Sequence, residues 1–144
     1  MSLTSANSTL LLSVPNVYDI AQIVEGFDVD DAFATDGIEI GEDKVGVDGR
    51  YSFGFVFSLI PIKVTLQADS PSVQLFTEIF NAEQSLKDKL PVNLTIEVPS
   101  IHRSYVFTNG IVKNWPPFAT ARKILQPVTF GLSFASSNIT VLPL

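Results

Sequence analysis

The sequence predicts a mainly β fold of the α+β class, with one α-helix packed against a sheet. Two observations carry that expectation. Four runs, at residues 51–59, 62–68, 92–98 and 128–135, alternate apolar and polar positions, and a period of two belongs to strands. One run, Val73 to Leu86, spaces its apolar residues as a helical stripe instead. A lone helix with a single apolar stripe must pack on a sheet. No repeat, linker or low-complexity tract divides the 144 residues. One domain over residues 1–144 is therefore expected, long enough for a core of its own.

Residues 1–8 are small and polar and read as a flexible N-terminal arm. Thr9 to Val14 is a short strand ending at Pro15, and Val17 to Val24 is a second, ended by Gly26. Phe27 to Asp36 is acidic and irregular. Gly37 to Val47 reads as a hairpin with polar arms and Glu42-Asp43 at its tip. Asp48-Gly49 is a turn signal before the run in which Tyr51, Phe53, Phe55, Phe57 and Leu59 share one face. Phenylalanines on one strand face are most often core. After Pro61 the phase flips to Ile62, Val64, Leu66 and Ala68, which marks a bulge, a bend or a change of packing partner.

Ser70 then caps a helix and Pro71 suits its first position. Val73, Phe76, Ile79, Phe80 and Leu86 form its stripe, with Phe76 and Phe80 expected against the sheet. Lys87 and Lys89 lie near its end and Pro91 stops it. Val92 to Val98 is a strand. Tyr105 to Val112 is extended, although Asn109-Gly110 can split it as a hairpin turn. Trp115-Pro116-Pro117 is a rigid loop. Val128 to Ala135 is a long late strand, followed by a short one at Ile139 to Leu142.

Composition excludes several function classes. Cysteine is absent, which removes disulfides, thiol chemistry and the usual zinc ligands. The first base is Lys44 and the longest apolar run is interrupted by Ser and Gly, so neither a secretory signal nor membrane insertion is expected. Sequons at Asn7, Asn93 and Asn138 then read as chance. The net charge of −6 is unevenly spread. Residues 1–49 hold ten acids and one base, whereas residues 50–144 hold five acids and eight bases. That is a solvated acidic surface, or two surfaces of opposite sign that meet in an oligomer. A basic nucleic-acid patch is missing.

No catalytic constellation emerges, and the chain reads as non-enzymatic, with no cofactor and no metal. His102 is the only histidine and lies between strands without a Gly-x-Ser-x-Gly elbow, so a structural or solvated role is the reading. Counting an EF-hand loop from Asp28 places Ala32 and Phe33 where an oxygen ligand and glycine belong. Glu39, Glu42, Asp43 and Asp48 match glycosidase carboxylates in type only. The glycines fit neither a Walker loop nor a dinucleotide fingerprint.

The order of features resembles a known family. Val47-Asp48-Gly49-Arg50 follows the acidic hairpin and leads into the aromatic strand and the strand Ile62 to Ala68. Ala68-Asp69-Ser70-Pro71-Ser72 then opens the helix Val73 to Phe80. The strand Val92 to Val98 follows, and Ile111-Val112-Lys113-Asn114-Trp115-Pro116-Pro117 precedes a final Phe/Leu-rich strand. Over roughly residues 9 to 135 this is similar to the tail tube proteins of contractile-tailed bacteriophages. The resemblance implies a β-sandwich or half-barrel with one flanking helix, and six copies in a ring whose inner strands share a β-barrel. It implies rings stacked inside a sheath, assembly in the host bacterial cytoplasm, and a place in the virion tail. Baseplate and tail terminator proteins would be partners. Tape measure protein and double-stranded DNA would pass through the lumen without specific binding, and there would be no catalytic residues.

A tail terminator, tube initiator or baseplate hub relative is the nearest alternative, and a β-sandwich receptor- or carbohydrate-binding module a more distant one. A conduit must not hold DNA by phosphate contacts, and an acidic lumen suits that. Glu39, Glu42 and Asp43, with Lys44, are therefore expected on a hairpin that faces the channel or stacks one ring on the next.

Overall fold

A computed structural model describes residues 8–15, 22–27 and 33–141. The expected N-terminal arm (apart from Ser8), the first part of the strand expected from Val17, and the acidic run at residues 28–32 lie outside the described residues. The final strand's last residue, Leu142, does too. The fold is mainly β with one helix, as the alternation predicts.

Among the described residues nine strands run in chain order: β1 Thr9–Ser13, β2 Gln22–Val24, β3 Phe33–Thr35, β4 Gly41–Val45, β5 Tyr51–Phe55, β6 Ile60–Leu66, β7 Val92–Val98, β8 Arg103–Asn114 and β9 Val128–Val141. The helix α1, Val73–Leu86, joins β6 to β7. Seven strands form one antiparallel sheet in the order β2-β1-β7-β8-β9-β6-β3, and β4 and β5 form a separate pair.

The sheet is open but strongly rolled. Val24 pairs with Leu10 at one margin, and Phe27, three residues on, bridges Leu66 near the other. The margins therefore lie within a tripeptide's reach, about 10 Å. Rolling buries the inward-facing alternate positions: Leu10 and Leu12, Val92 and Leu94, Phe130, Leu132 and Phe134, and Ile62, Val64 and Leu66. This half-barrel core is where the period-two runs at residues 62–68, 92–98 and 128–135 belong. Two expected breaks are absent. β8 runs on through Asn109, whose φ of 55° accompanies a register shift against β7 rather than a hairpin turn. β9 extends without interruption from Val128 to Val141, because β8 offers it partners along its length.

The helix covers one end of the roll. Phe76 and Ile79 are buried, and the Phe76 ring stacks on Phe130 with centroids 4.1 Å apart. Phe80 is exposed, although its ring stacks on Trp115 at 4.0 Å, and Leu86 is exposed too. The apolar stripe is thus shorter than its spacing suggests. Beyond the αL residue Lys87, which ends the helix, the Lys89 ammonium pairs with Glu83 and donates to the Val112 carbonyl at 2.9 Å.

The helix start also departs from expectation. Ser72, not Ser70, stands at the N-cap, and its side chain makes no capping bond. The buried serines instead latch the helix to the end of β2. Ser70 Oγ donates to the Glu25 carbonyl while accepting the Ser72 N–H at 3.2 Å, the local bond expected of a cap, and Ser72 Oγ accepts the Glu25 N–H at 2.8 Å. Gly26 permits this approach: its φ is +75°, and an added Cβ would stand 2.5 Å from Ser70 Oγ.

Candidate functional site

The most unusual surface is the β4–β5 hairpin, none of whose strand residues is buried. It is the outward continuation of the β3–β6 pair. Thr35 pairs with Ile62 at the edge of the roll. From there residues 36–40 and 56–59 lead outward, tied by the Val56 N–H to Ile40 carbonyl bond at 3.1 Å and by Ser58 Oγ donating to the Glu39 carbonyl. At ~3.3 Å per extended residue the arm can reach roughly 40 Å beyond the sheet.

Its tip is a three-residue loop, Val47-Asp48-Gly49. Gly46 N–H bonds to the Arg50 carbonyl and Gly49 N–H to the Gly46 carbonyl, both at 2.9 Å. Gly49 adopts φ +83°, which a three-residue hairpin loop requires at its last position. The Asp48 carboxylate accepts the Arg50 N–H at 3.1 Å. The Asp-Gly turn signal is thus correct, but Glu42-Asp43 is not a tip. Both residues lie within β4, because its hydrogen-bonding partner is the aromatic strand itself.

Pairing fixes the two faces. Gly41 opposes Phe55, Asp43 opposes Phe53, and Val45 opposes Tyr51. These residues share one face, since directly opposed residues of an antiparallel pair point the same way. Phe57 joins them through an edge-on contact with Phe55 at 4.9 Å, and the alternation places Glu39 opposite it. Glu42, Lys44, Ser52 and Gly54 form the other face. The expected acidic group is therefore divided: Asp43 lies on the aromatic face and Glu42 on the other beside Lys44, while Glu39 precedes β4 and is set on the aromatic side only by continuing the alternation.

The aromatic face is solvent-exposed, contrary to the core reading, with Phe53 79% and Phe57 91% accessible. Asp43 is bound into it by accepting the Tyr51 hydroxyl at 2.8 Å. That bond, with a smaller desolvation contribution, raises the phenol pKa above its ordinary value. A contiguous apolar face of this kind marks an interaction surface. The signal that could have found it is the short distance from the Asp48-Gly49 turn to both strands. That turn forces Tyr51–Phe55 to pair with a segment holding Glu42, Asp43 and Lys44, which cannot belong to a core.

Of the remaining candidates, the acidic run from Asp28 lies outside the described residues. His102 has φ 54° and ends the 3₁₀ turn Pro99–Ile101 before β8, a structural role for a loop residue. Among the described residues no cluster of His, Asp and Glu is arranged to hold a metal. No described helix is long and apolar enough to cross a membrane.

Comparison with known proteins gives a family and a fold. The family model described as tail fiber protein gp32 matches residues 2–138. Among curated proteins nothing matches significantly. Among solved structures, a chain of the anti-feeding prophage tube-terminating cap is 12% identical over 98% of this chain and 93% of that one, with a TM-score of 0.55. A chain of the six-fold-symmetrised anti-feeding prophage baseplate is 8% identical over 100% and 99%, with a TM-score of 0.57. A chain of the extended sheath–tube complex of an extracellular contractile injection system, PVC, is 12% identical over 92% and 88%, with a TM-score of 0.52. At these identities the likeness is one of fold.

Proposed function

The chain belongs to the tail fiber protein gp32 family, and from that premise we propose that it is a structural, non-catalytic tail component that assembles with copies of itself, as a protomer of the tail tube. In this reading hexameric rings stack inside a sheath, bounded by baseplate and terminator proteins, in a particle assembled in the host cytoplasm. The tape measure protein and double-stranded DNA pass through the lumen.

The observation that carries the reading is the hairpin. An isolated two-stranded hairpin is marginal in water, and one with a bare aromatic face needs a surface to cover it. The open sheet margins point the same way, since pairing across subunits removes edges that would otherwise invite uncontrolled association. The fold shared with chains of cap, baseplate and sheath–tube assemblies supports it as well.

Because Glu39 and Asp43 share the aromatic face, and Glu42 on the opposite face is balanced by Lys44, the hairpin suits a subunit contact better than an acidic lumen wall. A single ring at one end of a tube is the second reading, favoured by the likeness to chains of a cap and a baseplate. Microscopy separates the two, since a terminal ring does not propagate.

Purified protein at rising concentration should sediment as rings or tubes with a central hole. The double change Phe53→Ser and Phe55→Ser should leave a folded monomer, with stability altered by no more than about 0.5 kcal/mol, the usual range for surface sites. Monomer alone across salt and concentration would overturn the reading. A finer expectation separates the two hairpin faces. Asp43→Lys should impair assembly, whereas Glu42→Lys should leave it intact, as scored by sedimentation. Equal impairment by both would return Glu42 to the contact.

A further inference from the structure

Resting on the reading that copies of this chain stack, we infer which surface receives the hairpin: the loop Phe118 to Pro127 of the next copy. This loop is a compact tongue. Ala121 bridges Leu125, and Gln126 N–H bonds to the Thr120 carbonyl at 3.0 Å. Its surface is both apolar and basic. Phe118 is 83% exposed, Ile124 and Leu125 are also exposed, and Arg122 and Lys123 stand between them. The tongue itself contains no acid. Beside it lies an open groove of about 750 Å3, floored by Gln67 to Asp69.

Two properties match this surface to the hairpin. The first is chemistry. The hairpin's aromatic face carries Asp43 and no base among its paired positions, with Glu39 set on the same side by continuing the alternation, and the tongue answers with apolar side chains and two cations against the single acid Asp69 on the groove floor. Complementary charge over an apolar centre selects a partner and fixes its register. The second is placement. The hairpin leaves the body at Ile60, the first residue of β6, whereas the tongue leads into Val128, which pairs with Leu66 at the other end of β6. The two patches therefore flank the seven residues of β6, about 23 Å at ~3.3 Å per residue. Complementary patches at opposite ends of one protomer make a head-to-tail contact. Such a contact joins copies into a ring or an open stack and does not close as a two-fold dimer does.

Because the chain has no cysteine, single thiols report the contact directly. Val45→Cys and Leu125→Cys proteins, mixed and assembled before mild oxidation, should give a disulfide-linked heterodimer. Thiols at Val45 and at the exposed, distant Leu86 should not. The charge reversal Arg122→Glu with Lys123→Glu should raise the protein concentration needed for assembly at least tenfold, and Glu39→Lys with Asp43→Lys should restore it. Circular dichroism would confirm that each variant is folded. Wild-type assembly without the Val45–Leu125 cross-link, or undiminished assembly after charge reversal, overturns this pairing and leaves the stacking reading standing. Failure of the wild-type chain to assemble overturns the stacking reading itself.

Discussion

Replacing Phe76 with alanine should lower the free energy of unfolding by about 3–5 kcal/mol, the range for deleting a fully buried aromatic ring. Phe76 is 1% exposed and its ring lies nearly parallel to that of Phe130, at 11° and 4.1 Å. Phe130 is itself fully buried, so the void cannot close by a simple side-chain shift. Chemical denaturation should show a lower midpoint with an unchanged slope, since the surface exposed on unfolding is nearly the same. A change within about 0.5 kcal/mol, typical of surface sites, would mean that the helix is not seated on the sheet as described. Phe80→Ala should cost less, because Phe80 is 36% exposed and its ring stacks on Trp115 of a loop.

The second large effect is expected at Gly110, in the middle of β8. It pairs with Phe134 of β9, and an added Cβ would stand 2.6 Å from the Ser133 carbonyl oxygen and closer still to the Phe134 ring. The carbonyl belongs to a sheet strand and the ring is fully buried, so neither can yield cheaply. Gly110→Ala should therefore destabilise by about 1–3 kcal/mol, as overpacking a filled core does. Gly49→Ala should also be unfavourable, but through its positive φ in an open loop and not through a clash. Thermal unfolding of the two variants should separate the cases. Gly110→Ala should lower the melting temperature of the whole domain, whereas Gly49→Ala should act on the exposed hairpin and leave the core transition nearly in place. Equal losses at the core transition would mean that the hairpin is packed into the body.

Much of the fold was legible because its determinants are local. Val92 to Val98 and Val128 to Phe134 alternate as a half-buried strand must, and Val73 to Leu86 repeats as a helix must, so element type followed from period alone. The Asp48-Gly49 turn followed from the need for φ > 0 at Gly49. The same locality produced the errors at the ends and breaks. Ser70 and Ser72 have the chemistry of caps, but only Ser70 accepts a local N–H, from Ser72, because the residue after β2, Glu25, arrives beside both and occupies the Ser72 hydroxyl. Asn109-Gly110 has the chemistry of a turn, but β7 and β9 flank it on both sides and hold the chain extended through a register shift.

The candidate site shows the deeper division. By itself the sequence determined that Tyr51, Phe53, Phe55 and Phe57 share a face, that a tight turn precedes them, and that negative charge gathers in the first third of the chain. Only the tertiary structure decided that this face is bare. Alternation specifies which side chains point together, but what covers them depends on strands and helices far away in sequence. Here the described elements that could cover them are already committed. The helix packs on Phe130, and the rolled sheet closes its core around its own inward positions. The β4–β5 pair is left outside that core, and the same aromatic alternation that elsewhere builds an interior becomes a surface.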